Sequence, residues 1–423
     1  MKYLNIKKIL ISLLICSVVF IPSFLKAQNI PIVIKSNKIL TVTHGIIEDG
    51  IIIVQKGKIK ALGKNIPIPK NCKLIEIKNS VVMPGIIDAG TTIGIDSSDL
   101  TEMFDPVTPQ LKIIDSFNPY GKTGSDPANF KEAIEGGVTS AFLYMGNNMN
   151  VISGQGAVVK LAGKSFEKMI VKESAALIIN FGDIPIETYK SMNRIPSTRM
   201  GLISVLREAF DKAEDYAKKS KNSSGAGGDT KSQAILKALN GEIPVVIHAN
   251  RLKDIMAVIK FAESYNLKFI LNHCVEGYKI ADLLEEKNIP VILFSNFLAP
   301  RIFEETKGFT EKYAGILSNH GVKVAFQNDS VIGGKILKFS LINAAIYISY
   351  GMKEEEALKA LTIYPAEIFG ISDRIGSIEK GKDADLVILD GDPFNVFTKV
   401  KTVLIDGVIV FNSISHSSGK DKK

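Results

Sequence analysis

Two histidines and one aspartate stand at the ends of three apolar segments of this sequence. His248 lies near the end of "IPVVIHAN", His273 near the end of "LKFILNHC", and Asp329 ends "VKVAFQND". Neutral imidazole binds zinc-class metals, and a carboxylate either completes such a site or takes a proton from bound water. The three residues therefore indicate a metal site suited to hydrolysis. The competing interpretation is structural, because a single histidine at a strand end is more often only hydrogen-bonded.

These side chains need a scaffold that brings separate strand ends together. From Val81 onward, short apolar runs alternate with helical stretches, and eight such runs can be counted. Continuous apolar runs are typical of strands buried on both faces, so the pattern predicts an α/β fold, a (β/α)8 barrel of the TIM type. In that fold the active site lies at the C-terminal ends of the strands. One of the eight runs, "AVVKLAG", is also compatible with a hairpin strand.

Both ends of the chain have the composition of β-structure. Residues 28–82 contain β-branched runs separated by Gly-containing turns, and residues 371–415 return to the same pattern. We expect these two stretches to form one discontinuous β-sandwich domain beside a barrel of residues 83–370. Residues 416–423 are polar and are expected to form a flexible tail.

Residues 1–27 combine a lysine-rich start, an apolar run and a small residue, Ala27, at the end. This order is typical of a secretory signal peptide, and a membrane anchor is the alternative. We expect an exported protein, periplasmic or extracellular, without a stable membrane span after cleavage. Cys72 and Cys274 would remain, either as two thiols or as one disulfide.

The charge pattern argues against a nucleic-acid partner. The formal net charge of the whole chain is +8, and four lysines lie in residues 1–27, so +4 remains after cleavage. That charge is small and dispersed along the sequence. A small-molecule partner is expected instead. Arg199 and Arg251 are candidates for holding an anionic group of it, and a surface ion pair is an equally good interpretation of each.

Several stretches resemble the amidohydrolase superfamily, in its imidazolonepropionase-like branch of exported proteins. "VVMPGIIDAG" resembles the first barrel strand of that family, and "IPSTRMG", "PVVIHANR" and "LNHCVEGYKIADLL" resemble its middle part. "GSIEKGKDADLVILDGDPF" resembles its C-terminal return to the small β domain. The resemblance covers nearly all of the chain after residue 27. It implies a barrel with a composite β-sandwich and metal-dependent hydrolysis of non-peptide carbon–nitrogen bonds in cyclic or linear amides.

The resemblance also assigns roles to the three residues. By position, His248 and His273 match metal ligands of the fifth and sixth barrel strands. Asp329 matches the aspartate of the eighth strand, which binds metal and handles the proton. Asp183, which follows the run "SAALIINFG", is a candidate fourth ligand.

The first barrel strand departs from the family pattern. The family usually ends this strand with His-x-His, and those two places are Gly90 and Thr92 here. Many two-metal members also carry a carboxylated lysine on the fourth strand, and "SAALIINFG" has no lysine. The resemblance therefore implies a degenerate active site, reduced to one divalent metal ion, with zinc as the expected ion.

Two hypotheses of function follow. The first is an exported hydrolase that acts on an amide-type small molecule with one metal ion. The second is a catalytically inactive pseudoenzyme that serves as a binding or partner subunit. A homodimer is the common assembly for such enzymes, and a hetero-oligomer with an intact paralogue would suit the pseudoenzyme.

Overall fold

The structure is a computed structural model that describes residues 30–100, 102–120, 127–146, 148–222, 228–294, 304–328 and 336–413. The expected signal peptide, the expected tail and Asp329 lie outside these ranges. Within these ranges, no helix is both long and apolar enough to cross a membrane.

The described elements alternate between strand and helix in the middle of the chain and are strands at both ends. The first five strands are β1 (Ile32–Leu40), β2 (Ile46–Gln55), β3 (Lys58–Gly63), β4 (Lys73–Glu76) and β5 (Val81–Pro84). The middle part comprises β6 (Ile86–Thr91), α1 (Pro127–Glu135), β7 (Val138–Leu143), β8 (Ile152–Lys160), α2 (Phe166–Met169), β9 (Ile170–Asn180), α3 (Asp183–Ser191), α4 (Arg199–Asn222), α5 (Thr230–Leu239), β10 (Val245–Ala249), α6 (Leu252–Ser264), β11 (Phe269–His273), α7 (Ala281–Glu286), β12 (Val291–Phe294), α8 (Tyr313–Asn319), β13 (Val324–Gln327), α9 (Ser340–Ser349), α10 (Glu354–Leu361) and α11 (Ile363–Ile368). The last three strands are β14 (Leu386–Leu389), β15 (Val400–Ile405) and β16 (Val408–Asn412).

Strands β6 to β13 form one eight-stranded sheet in which each strand neighbours the next along the chain. The sheet is nearly closed, because the backbone N–H of Asn328, just after β13, donates to Asp88 Oδ2 of β6 at 2.9 Å. Apolar side chains fill the interior, including Ile87, Ile178, Val246 and Ile270. The predicted barrel with a second sheet built from both termini is confirmed.

The direction of one barrel strand differs from that of an all-parallel barrel. β8 is antiparallel to both β7 and β9, whereas the remaining barrel pairings are parallel. Only residues 144–151 connect β7 to β8, and a parallel return needs a crossover of a dozen or more residues. The run "AVVKLAG" therefore belongs to a hairpin strand, which was the alternative interpretation.

The strands of both termini form the second sheet, in the order β16-β15-β14-β5-β1-β2-β3, with β4 beside β1. β14 pairs antiparallel with β5, which joins the two ends of the chain. The strands of the expected β-sandwich domain thus belong to one continuous sheet. It has its own apolar core, which includes Ile34, Ile52, Val82 and Leu386.

Candidate active site

His248 lies inside the barrel at its C-terminal mouth. Val246, two residues earlier, packs in the barrel interior, and side chains two apart on a strand share a face. The strand partners of His248 are Asn180 on β9 and Asn272 on β11, so these three residues lie at the same level. On the next two strands, Phe294 at the end of β12 pairs with Gln327 at the end of β13. The top layer of the barrel is therefore built largely from neutral side chains.

The structure brings His273 next to His248. The two ring centroids are 4.3 Å apart, and the ring of Phe294 lies 5.3 Å from that of His273. His273 and Cys274 both have left-handed backbone conformations, with φ of 67° and 48°, which is uncommon for residues other than glycine. This turn carries the imidazole of His273 over the end of its strand, and the strained backbone is typical of a functional position.

Both imidazoles are neutral in this environment. Burial lowers the pKa of His273 to about 4. Burial, and then the neighbouring His273, lower the pKa of His248 well below its usual value. Neutral imidazole is the form that binds metals. His273 Nε2 is buried and has no hydrogen-bond partner among the described residues, whereas His248 Nε2 lies 2.9 Å from Asn250 Nδ2.

The mouth end of the first barrel strand is occupied by other groups. A Cβ atom at Gly90 would lie 2.2 Å from Gln327 Oε1, so the glutamine amide occupies the space of a side chain there. Asp88 accepts hydrogen bonds from the backbone of Gly90 at 3.0 Å and from the side chain of Asn328 at 2.7 Å. Thr92 is buried. The described atoms therefore leave no room for an imidazole at position 90 without displacement of Gln327.

The structure places Asp183, Arg199 and Arg251 against one another. Asp183 Oδ1 is 2.7 Å from an Nη atom of Arg199, and Asp183 Oδ2 is 2.9 Å from one of Arg251. Arg199 also forms a two-pronged contact with the buried Asp254, at 2.5 and 2.9 Å. Its hydrogen bonds with Asp254 raise the pKa of Arg199. In this arrangement both carboxylate oxygens of Asp183 face arginines, and both arginines form ion pairs.

A buried carboxylate that sequence reasoning missed lies beside this network. Glu305 is 7% exposed; its Oε1 accepts from the backbone N–H of Asp183, and its Oε2 lies 3.5 Å from Asn250 Nδ2. A Cβ atom at Gly182 would lie 2.4 Å from Glu305 Oε1, so the glycine makes room for this carboxylate. Burial raises the pKa of Glu305. The residue lies in a short 3-10 helix, Glu304–Thr306, where no sequence pattern marks it.

On the histidine side of the mouth the described residues offer two imidazole donors, whereas Gly90 and Thr92 offer none on the first-strand side. Two neutral imidazoles are adjacent, and Nε2 of His273, which has no hydrogen-bond partner among the described residues, is available to bind a metal ion. The described ranges contain no group of three or more His, Cys, Asp or Glu side chains that could hold a metal. A metal ion held by the two histidines would need a third ligand of these types from outside those ranges, where Asp329 lies.

Comparison with known proteins agrees with the fold and with the sequence resemblance. The profile of the amidohydrolase family matches residues 200–410. A crystal structure of an amidohydrolase from Thermotoga maritima MSB8 is 36% identical, with a TM-score of 0.83, and the match covers 90% of this chain and 100% of that chain. The chain belongs to the amidohydrolase family.

Two curated relatives of this amidohydrolase show the branch. Imidazolonepropionase of Thermoplasma volcanium is 25% identical over 395 residues, 86% of this chain and 91% of that protein. Amidohydrolase tasK of Hapsidospora irregularis is 22% identical over 403 residues, 86% of this chain but only 40% of that longer protein. The predicted imidazolonepropionase-like membership is confirmed. Membership supports a hydrolase acting on carbon–nitrogen bonds, and members of this family typically bind a metal ion.

Proposed function

We propose that this amidohydrolase hydrolyses a non-peptide carbon–nitrogen bond in a cyclic or linear amide, at a site reduced to one divalent metal ion. The pairing of His248 with His273, 4.3 Å apart in a buried barrel mouth, is the observation that carries the proposal. Zinc is the expected ion, and Asp329 is proposed as the third ligand. When bound, such an ion polarises the scissile carbonyl and lowers the pKa of a bound water.

The protein groups have separate tasks in this proposal. His273 offers an unpartnered Nε2, and Phe294 packs against the ring and limits the access of water. His248 offers Nε2 only after Asn250 releases it, because the amide now lies 2.9 Å from that nitrogen. Asp329 takes the proton of the attacking water and returns it to the leaving nitrogen.

A pseudoenzyme is the second candidate function. Gln327 fills the place of one missing imidazole, and the carboxylate of Asp88 is hydrogen-bonded to Gly90 and Asn328. A closed first-strand end of this kind suits a chain that keeps the barrel as a binding or partner subunit. An intact paralogue would then be the partner in a hetero-oligomer, and a homodimer is proposed for the enzyme.

We also propose that the protein is exported to the periplasm or the cell exterior. The lysines, apolar run and terminal Ala27 of residues 1–27 support this proposal. Mass spectrometry of the protein from its native host tests it, because cleavage after Ala27 would leave Gln28 as the first residue.

Metal analysis separates the two candidate functions. Purified protein is expected to hold about one zinc ion per chain, and His248→Ala and His273→Ala are each expected to reduce this below about 0.1. His44→Ala is the matched control, because His44 is exposed in the bend between β1 and β2 and is expected to change nothing. Amide hydrolysis should fall in parallel with metal content. A wild-type metal content below about 0.1 per chain, unchanged in both variants, would refute the hydrolase and favour the pseudoenzyme.

A further inference from the structure

We propose that the barrel mouth recognises a small planar cation that only donates hydrogen bonds, such as an amidinium or guanidinium group. Asn180 and Asn250 are the specificity-determining residues in this proposal. This inference rests on the proposed function in one respect: the cationic group is taken to be part of the amide that is hydrolysed. The recognition itself is carried by buried hydrogen-bond acceptors that have no donor.

Asn180 presents one such acceptor. Its Nδ2 donates to the backbone oxygen of Asn150 and to Ser153 Oγ, both at 2.7 Å. A backbone carbonyl only accepts hydrogen bonds, so the amide must point its NH2 group there and its oxygen the other way. Asn180 is 1% exposed, and its Oδ1 has no partner among the described residues.

Asn250 presents a second acceptor. Its Nδ2 lies 2.9 Å from His248 Nε2 and 3.5 Å from Glu305 Oε2. A carboxylate oxygen accepts hydrogen bonds, so these contacts place the NH2 group of this amide toward Glu305 and His248. Asn250 is 4% exposed, and its Oδ1 is buried without a partner in the described structure. A buried acceptor without a donor destabilises the protein, and a ligand that supplies donors removes that cost.

The two acceptors belong to residues that neighbour His248. Asn180 is the strand partner of His248 on β9, and Asn250 follows His248 by two residues. His273 lies on the other side of His248, with its ring 4.3 Å away. A donor group held by Asn180 and Asn250 would therefore place the rest of its molecule next to the two imidazoles.

A small cavity lies on the NH2 side of Asn180, where Asn150 and Ser153 line it. Its volume is about 210 Å³, and Asp99, Glu102, Asn148, Asn150 and Ser153 are among its lining residues. Asn148 is 6% exposed, and its Oδ1 also lacks a partner within the described ranges. Ligand pockets usually measure about 300–1,000 Å³, so this space suits one small group rather than a whole substrate.

The charge around the mouth favours a cation over a carboxylate. None of the described residues that line the cavity is basic, and two of them, Asp99 and Glu102, are acidic. The neighbouring arginine network is balanced internally, because Arg199 and Arg251 face two carboxylates, Asp183 and Asp254. Glu305 adds a carboxylate that has no cationic partner among the described contacts.

Three probes of nearly equal size and shape test the inference. Acetamidinium only donates hydrogen bonds, acetamide both donates and accepts, and acetate only accepts. Affinity for the purified full-length protein is measured by ligand-observed NMR, so no turnover is needed. Acetamidinium is expected to bind about tenfold more tightly than acetamide, which corresponds to one additional hydrogen bond, and acetate is expected not to bind.

Variants locate the site of binding. Asn180→Leu and Asn250→Leu keep the volume and remove the acceptor, and each is expected to weaken acetamidinium about tenfold. Asn319→Leu is the matched control, because Asn319 is exposed at the end of α8 and is expected to change nothing. Equal affinity for the three probes, or an unchanged preference in both leucine variants, would overturn the inference.

A further variant covers the case in which the leucine variants do not fold. Glu102→Gln changes an exposed side chain and is expected to weaken acetamidinium about threefold at low salt. An unchanged affinity in that variant would overturn the inference. An inactive, metal-free protein that still prefers acetamidinium would refute the proposed hydrolase but not this inference. An active hydrolase without that preference would refute this inference but not the proposed hydrolase.

Discussion

Replacing Lys160 by methionine should separate the barrel from the terminal sheet. Lys160 ends β8 and is 0% exposed, and its Nζ lies 2.9 Å from Asp383, 3.0 Å from Asp385 and 2.5 Å from Asp406. Burial lowers the pKa of Lys160, but the three carboxylates raise it more, so the net pKa is raised. The lysine is therefore charged and joins the barrel to the segments around β14 and β15.

The expected cost follows from what the substitution leaves behind. Methionine fills a similar volume but leaves the buried carboxylates short of one cation, and breaking a buried ion pair costs about 3–5 kcal/mol. Ordinary domains are stable by about 5–15 kcal/mol, so the loss should be large. Lys58→Met is the matched control: Lys58 pairs with the same Asp383 at 2.5 Å but is 49% exposed, so it should cost less than about 1 kcal/mol.

Urea unfolding followed by circular dichroism at pH 7 measures both losses. The reasoning would be refuted if Lys160→Met cost less than about 1 kcal/mol, or no more than Lys58→Met. A selective loss of the terminal sheet at low urea, with the barrel retained, would be the strongest support.

Three more outcomes are expected. Burial raises the pKa of Asp385 to about 6, above its ordinary 3.8, so its stabilising contribution is complete below about pH 4 and is lost as the pH rises through 6. The unfolding free energy of wild type minus that of Asp385→Asn should therefore fall between pH 4 and 7, and a flat difference would contradict the assignment. Arg199→Lys loses the two-pronged contact with Asp254 and should cost about 1–3 kcal/mol in thermal unfolding, whereas a loss of a few tenths would mean that the contact contributes little. Gly90→Ala should destabilise by about 1–3 kcal/mol and Gln327→Ala should relieve part of that cost, so strict additivity in the double variant would argue against their contact.

The fold could be predicted because its signals are local and repeated. Continuous apolar runs such as "IPVVIHAN" mark buried strands wherever they pack, and the turn-rich ends mark the second sheet. The direction of β8 was harder to predict, because its apolar run fits either orientation. The short connection of residues 144–151 decides the orientation, and its length becomes clear only when the bounds of both strands are known.

The site could be predicted only where strand register determines it. His248 and His273 end neighbouring parallel strands, so their proximity follows from the fold. The contacts of Gln327 with Gly90, and of Glu305 with Asp183, join residues more than one hundred positions apart through side-chain geometry. No spacing in the sequence encodes such contacts. For this reason the sequence showed that an imidazole was missing at Gly90 but not what had replaced it.

The replacement at Gly90 and the acceptors at the mouth both affect the charge that a substrate meets there. Imidazoles on the first strand would hold a dication there, and a dication repels a cationic substrate group. Gly90 and the amide of Gln327 are neutral, so this end of the mouth carries no such positive charge. The carboxylate of Glu305 and the unpaired oxygens of Asn180 and Asn250 offset part of the charge of the single metal ion proposed on the histidine side, so a cationic group is repelled less than two ions would repel it. On this argument, loss of the first-strand ligands alters which substrate binds as well as how many metal ions do.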